Sequence, residues 1–348
     1  MTGGLATPGA GWRRADGPGA QARVGKRRKG RRPGGGRPGG EVSMVDEAQF
    51  TSYYGRPIIK APVWKTPDVP LYLFLGGAAG TSSILAALGD LSGRSKLARS
   101  GRFIAGGGAL ASVGFLVHDL GRPERFLHML RVMKPTSALS MGTYILSPFS
   151  AATAATAAVE LLGWFPRLKR FGGAVSAVFG GPMATYTAVL LANTAVPSWH
   201  APHRELPIVF AGSALAAGGG LTMVFTPVDE AGPSRKAAVA GAAVELVAMH
   251  RVETGHGIVS EPYHEGRAGV LLRAAKACTV SGAGLTVLAG RNRMGQAVSG
   301  ALLAAGSALT RFGVFDAGMA SAKDPKYTVV PQRERLAARQ DHASTTTT

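Results

Sequence analysis

The chain has 348 residues, 46% hydrophobic, 17% charged and 7% aromatic, and carries 39 Lys and Arg against 20 Asp and Glu for a formal net charge of +19. Cys278 is its one cysteine, which excludes a disulfide framework, a Cys-ligated cluster and a thiolate zinc site within this chain. The basic balance suggests nucleic acid, but ten of the Arg and Lys fall in residues 1–43 against Asp16 and Glu41, and the remainder is spread over many loops, so no nucleic-acid partner is expected.

Residues 1–43, with Lys26-Arg-Arg-Lys-Gly-Arg-Arg-Pro at their centre, are too polar and too rich in Gly and Pro to fold. They read as a disordered basic leader or as an untranslated stretch before a start at Met44, and they lack the apolar run of a signal peptide. Residues 44–68 read as an amphipathic, interfacial approach to the first apolar run. From there a membrane domain is expected over 69–318, followed by a polar tail over 319–348.

Val69–Gly89 holds no ionisable residue over 21 positions, Phe171–Trp199 none over 29, and Leu206–Val228 none. Crossing a hydrocarbon core of about 30 Å takes about 20 apolar residues, so each is long enough to span. Met141–Val159 and Met294–Thr310 add two more. Phe103–Val117, Ala237–His250 (with Glu245 inside) and Ala268–Gly290 (with Arg273 and Lys276 near its start) bring the expected count to eight. The fold class is therefore an all-α integral membrane protein, a bundle of about eight transmembrane helices in two four-helix halves. A soluble all-α protein would leave a 29-residue uncharged run with no solvated face and a core built from Ala, Gly, Ser and Thr. The Gly-rich runs that would weaken soluble helices are what lets membrane helices approach closely.

Eight spans put both ends of the domain on one side, face A, with the opposite side as face B. His118 and Asp119 end the second span at face A, Tyr144 begins the third, His250 ends the sixth, and Arg311 and Asp316 end the eighth. Asn193, Trp199, His200 and His203 end the fourth span there, with Tyr186 about two turns below Asn193. Face B is left with Glu160 and simple basic loops, including Arg167-Leu-Lys-Arg170 and Arg291-Asn-Arg293. Each face A residue has a plain reading on its own: an interfacial histidine, a snorkelling cation, an aromatic belt. Together they mark a functional face, because intramembrane ionisable groups are costly and normally line a pathway or a ligand site.

The run Trp64-x5-Pro70-Leu-Tyr72-Leu-Phe-Leu-Gly76-Gly77, the element Asp119-Leu-Gly-Arg122-Pro-Glu-Arg125-Phe126, the pair Gly142-Thr-Tyr144, and Tyr186-Thr-Ala-x-Leu190-Leu191-x5-Pro197-x-Trp199 together resemble the NrfD/PsrC family. Members are membrane subunits of polysulphide-reductase-type and related molybdoenzyme complexes. The resemblance implies a quinone-binding membrane anchor in the cell membrane, without a bound metal, that works with menaquinone or ubiquinone. It also implies a four-cluster ferredoxin-like iron–sulfur subunit and a molybdopterin catalytic subunit as partners, with membrane lipid around the chain. By resemblance Asp119 matches an acidic residue near the quinone and proton route, and Tyr186 a tyrosine that donates to a quinone carbonyl. The stretch Gly76-Gly-Ala-Ala-Gly80-Thr81 departs from members that place Asn and His ligands in the first span.

Quinone reduction needs hydrogen-bond donors to two carbonyls, a proton relay and an apolar slot. Tyr186 and His250 are candidate donors, Asp119 a proton carrier, and His118 and Tyr144 neighbours of that site. Glu245 extends a proton path, with a helix–helix hydrogen bond as its structural alternative. Arg122, Arg125, Arg131 and Lys134 are candidates for docking a partner subunit. Two other readings remain open. One is a haem-b anchor ligated by His118 and His250; the other is a secondary transporter with Gly-broken helices. Basic residues are similar in number on the two faces, so the positive-inside rule gives no firm orientation.

Overall fold

The computed structural model describes residues 57–122, 124–163 and 165–346; the leader 1–43 and the first part of the segment 44–68 lie outside the described residues. Chain order gives α1 (Asp68–Leu91), α2 (Ser95–Leu120), α3 (Glu124–Met129), α4 (Ala138–Leu162), α5 (Pro166–Ala192), α6 (Pro197–His200), α7 (Glu205–Phe225), α8 (Gly232–Thr254), α9 (Gly266–Ala289), α10 (Arg293–Lys323) and α11 (Lys326–Thr346). A 3-10 segment, Gly257–Tyr263, joins α8 to α9. Among the described residues there is no strand.

Seven helices, α1, α2, α4, α5, α7, α9 and α10, are long and apolar enough to cross a membrane. The eighth long helix, α8, carries Arg235, Lys236, Glu245, Arg251 and Glu253 and falls short on composition alone. It packs tightly along α7, where an added Cβ at Gly212 would meet the Glu245 backbone at 2.6 Å and one at Gly219 the Ala238 backbone at 2.7 Å. Connectivity sets its direction. The α10 N-terminus sits at the face B end of α7, since Arg293 Nη2 donates to Val224 O at 2.7 Å and Gln296 Nε2 to Thr226 O at 2.7 Å. So α9 runs from face A to face B, and α8 must return the chain to face A. The chain is an all-α multi-pass membrane bundle.

The two halves are α1, α2, α4 and α5, and α7 to α10, with α1 and α5 packed against α7. Small residues bring the helices together. At the α1–α5 crossing, Gly80 and Gly180 oppose one another, and a Cβ added to either would run into the other's carbonyl oxygen. Hydroxyls stitch the same seams: Thr81 Oγ1 donates to Ala214 O at 2.7 Å, Ser83 Oγ to Ser176 O at 2.9 Å, and Ser213 Oγ to Ser307 Oγ at 2.8 Å. Without a hydrophobic drive between helices in lipid, close van der Waals packing and such hydrogen bonds hold the bundle.

Several helices end where the apolar runs do not. Residues 171–199 are not one helix: α5 stops at Ala192, and the chain restarts as the short α6 at Pro197. Proline fits the first turn of a helix because its missing N–H is an orphan there anyway. Helix α2 begins eight residues before Phe103, which draws Arg99 and Arg102 into it. Helix α10 runs on to Lys323, so Arg311 and Asp316 lie within it rather than beyond the last span.

The face B cations are also less simple than loop charges. Arg102 is buried and pairs with Asp90 and, at 2.8 Å, with Glu160, which also takes Lys169 at 2.9 Å. Arg235 Nη1 donates to Val228 O, Gly290 O and Gln296 Oε1. The bond to Gly290 satisfies a carbonyl left open at the C-terminus of α9.

Candidate functional site

At the face A end of the first half, α1, α2, α4 and α5 enclose a cavity of about 100 Å³, roofed by Trp64 from the segment before α1 and by Met129 of α3. Its walls are mainly apolar, with Leu116, Leu146 and Met183 among them, and its polar groups are Tyr72, Asp119, Thr143 and Tyr186. Tyr72 (3% exposed) and Tyr186 come from α1 and α5, and both side chains line this cavity.

The Asp-Leu-Gly-Arg element explains how the carboxylate arrives there. Helix α2 ends on Gly121, whose φ of 70° suits glycine, and Arg125 Nη1 caps it by donating to Leu120 O at 3.1 Å. Asp119 Oδ1 accepts the Lys65 backbone N–H at 2.9 Å, while His118 Nδ1 lies 2.7 Å from Asp68 Oδ2. These two contacts tie the start of α1 to the end of α2 and set the rim of the cavity.

Tyr186 is set by a glycine. Its ring rests directly on the α4 backbone at Gly142, where any Cβ would occupy the phenol's own position. Gly142→Ala is expected to displace Tyr186 and to lower stability by about 1–3 kcal/mol, the usual cost of overpacking a filled core. Thermal unfolding in detergent, with tyrosine fluorescence as a local probe, checks this; an unshifted transition would mean the ring moves aside freely.

The sequence-derived candidates do not all meet. Asp119 and Tyr186 line the cavity together, and His118 stands at its rim with its imidazole largely exposed. Tyr144 is turned elsewhere, its hydroxyl donating to Leu130 O at 2.8 Å and pinning the end of the α3 loop. His250 is exposed at the end of α8, in the other half. Arg122, Arg125, Arg131 and Lys134 are all exposed on the 121–137 connection. Tyr72 and Trp64 escaped the site reading although both stand in the first-span motif; an aromatic in a hydrophobic run gives no sign of which way it faces. Trp64 stacks on Trp199 at 5.5 Å between ring centroids, and the fully buried Trp199 donates Nε1–H to Val314 O at 2.8 Å.

Glu245 belongs to a second site between α1, α7, α8 and α10. It is 2% exposed, and its Oε1 accepts from Thr310 Oγ1 at 2.6 Å. Next to Thr310, Arg311 is fully buried, stacks its guanidinium 3.7 Å from the Phe210 ring centroid, and donates Nη2–H to Phe210 O at 2.9 Å. Among the described residues, Glu245 Oε2 and Arg311 Nε and Nη1 have no hydrogen-bond partner. Arg311 also reaches α1, where a Cβ on Gly77 would lie 3.3 Å from its Nη2. Gly77 is five residues beyond Tyr72, about 7.5 Å along the helix, so the two sites share α1.

Fold and site define a multi-pass membrane protein with a cavity at face A that holds two phenols and a carboxylate, and with a carboxyl and a guanidinium buried within the bundle. A family model described as polysulfide reductase matches residues 50–323, and the chain belongs to that family, the NrfD-type membrane subunits. A comparison with curated proteins finds no match.

Proposed function

We propose that this chain is the quinone-interacting anchor of a membrane oxidoreductase complex, passing electrons between the menaquinone or ubiquinone pool and an iron–sulfur subunit that serves a molybdopterin catalytic subunit. The carrying observation is the face A cavity, where two phenols and a carboxylate meet within an apolar wall. Its donors fit a quinone ring: Tyr186 and Tyr72 supply O–H groups for a carbonyl, and Met183 and Leu146 supply an apolar bed. The space suits the ring, with the prenyl tail left to the lipid side.

When bound, a quinone accepts or releases two electrons and two protons. Tyr186 orients its carbonyl by hydrogen bonding, and Asp119, at the rim and half-exposed, carries protons between the ring and face A water. Trp64 and Met129 cover the rest of the cavity on that side. Glu245 is a candidate for a longer proton route. Its unpartnered oxygen and the unpartnered nitrogens of Arg311 are groups that ordered water inside the bundle would satisfy.

The placement of histidines weighs against the haem-b alternative. Bis-histidine ligation needs two facing imidazoles, whereas His118 of α2 is engaged with Asp68 of α1 and His250 is exposed on α8 of the other half.

Gentle detergent extraction of the tagged chain from native membranes, followed by mass spectrometry of its companions, tests the reading. A ferredoxin-like protein, a molybdopterin protein and a quinone are expected in one particle; recovery of the chain alone, without quinone, would reject it. The exposed cations supply a finer test. Charge pairs at an interface rim mainly speed association, so Arg122→Ala/Arg131→Ala/Lys134→Ala is expected to reduce the iron–sulfur subunit recovered by about tenfold. Unchanged recovery would remove these residues from the docking surface.

A further inference from the structure

At the opposite, face B, end of the bundle, α2 and α7 meet beside an open groove of about 540 Å³ lined by Lys96, Arg99, Ser100, Phe103, Ile104 and Phe225. Ser100 Oγ donates to Phe225 O at 3.1 Å and closes the groove at the point where the helices touch. Its floor is apolar, and Phe225 is 63% exposed toward the space a bilayer would fill. Its mouth is cationic, with the Lys96 and Arg99 side chains both exposed beside the apolar floor. Arg102 and Lys169 are held by carboxylates, and Arg235 and Arg293 by carbonyls. Among the described residues, neither the Lys96 ammonium nor the Arg99 guanidinium has a carboxylate partner; Arg99 lies 5.7 Å above the Phe103 ring. One acid stands near: Glu230 Oε2 accepts the backbone N–H of Lys96 at 2.8 Å and of Leu97 at 3.2 Å. Glu230 thus neutralises the α2 N-terminus and leaves the two side-chain charges uncompensated.

We infer that this groove is a binding site for an anionic phospholipid, its phosphate between Lys96 and Arg99 and an acyl chain along Phe103, Ile104 and Phe225. The arrangement follows bilayer depth. Lys96 and Arg99 sit in the first two turns of α2, at headgroup level, and Phe103 lies about 6 Å beyond Arg99 along the axis. Charge complementarity selects the headgroup and the apolar floor selects a lipid over a free anion. The site rests on the membrane reading of the fold and is independent of any quinone.

Native mass spectrometry of the purified chain, equilibrated in detergent with equal phosphatidylglycerol and phosphatidylcholine of matched chains, tests it. A cation close to a membrane surface favours an anionic lipid by about fivefold, so two give roughly a 30-fold preference. Lys96→Gln/Arg99→Gln is expected to bring the ratio near one. Arg170→Gln/Arg291→Gln, which removes equal charge from exposed residues elsewhere on face B, is expected to leave it. No preference in the unaltered chain, a preference that survives Lys96→Gln/Arg99→Gln, or an equal loss in both variants would each overturn the site. The substituted side chains are all exposed, so folding is not at issue.

Discussion

Tyr186→Phe and Asp119→Asn are each expected to cut quinone-linked turnover of the assembled complex by roughly 10- to 100-fold while leaving its subunit composition unchanged. Phenylalanine keeps the ring that rests on Gly142 and removes only the hydroxyl that would orient a carbonyl. Asparagine keeps an oxygen able to accept the Lys65 N–H and removes the ability to take up a proton. A positioned proton donor or acceptor contributes about 10²- to 10⁴-fold, and partial replacement by Tyr72 or by water reduces the loss. The assay is quinol oxidation by membranes holding the whole complex, with subunit content measured in parallel. Full turnover in both variants would move the quinone out of this cavity. Tyr72→Phe separates the two phenols: a loss as large as that in Tyr186→Phe would mean that the pair acts as a unit.

Arg311→Leu is expected to lower the stability of the chain by about 3–5 kcal/mol, because it leaves the Glu245 carboxylate in the bundle with no compensating cation. Glu245→Leu is expected to cost a similar amount by stranding Arg311, held then only by Phe210 and its carbonyl. Replacing both with leucine removes two desolvated charges at once, so Glu245→Leu/Arg311→Leu is expected to be destabilised far less than the sum of the single variants. A double-mutant cycle read by thermal unfolding in detergent checks this, and strict additivity would show that the two charges do not interact. The same double variant addresses the proton route. If it folds and turns over quinol but no longer moves protons into vesicles, the buried pair lies on that route; intact proton movement would confine it to a structural part.

Much of the fold was legible in the residues. Apolar runs of about 20 residues, glycines spaced through them and charge confined between them leave a polytopic helical bundle as the consistent answer, since only helices or closed barrels satisfy their backbone in lipid. Helix ends were less legible. Hydropathy detects where a segment is apolar, not where its hydrogen bonding stops. The buried Arg102 and Arg311 both lie in helices that continue past the apolar stretch, and the break at residues 193–196 is written in turn chemistry rather than hydropathy. Helix α8 showed in the sequence only as the weaker run Ala237–His250, because Glu245 interrupts it and charged residues flank it.

In the site, the sequence by itself determined which residue types could do the work: an acid at the end of α2, a tyrosine deep in α5, cations on the loop between α2 and α4. It determined their membrane face as well, because topology follows from counting spans. Tertiary structure alone decided which of them meet. Tyr72 and Tyr186 are brought together by the Gly80–Gly180 crossing, Tyr144 is withdrawn to a loop carbonyl, and Glu245 accepts from Thr310, beside an arginine more than 60 residues away in sequence. The physical reason is that a helix's rotation about its own axis in lipid is set by packing against its neighbours. Hydrophobic periodicity says little about it when every face is apolar.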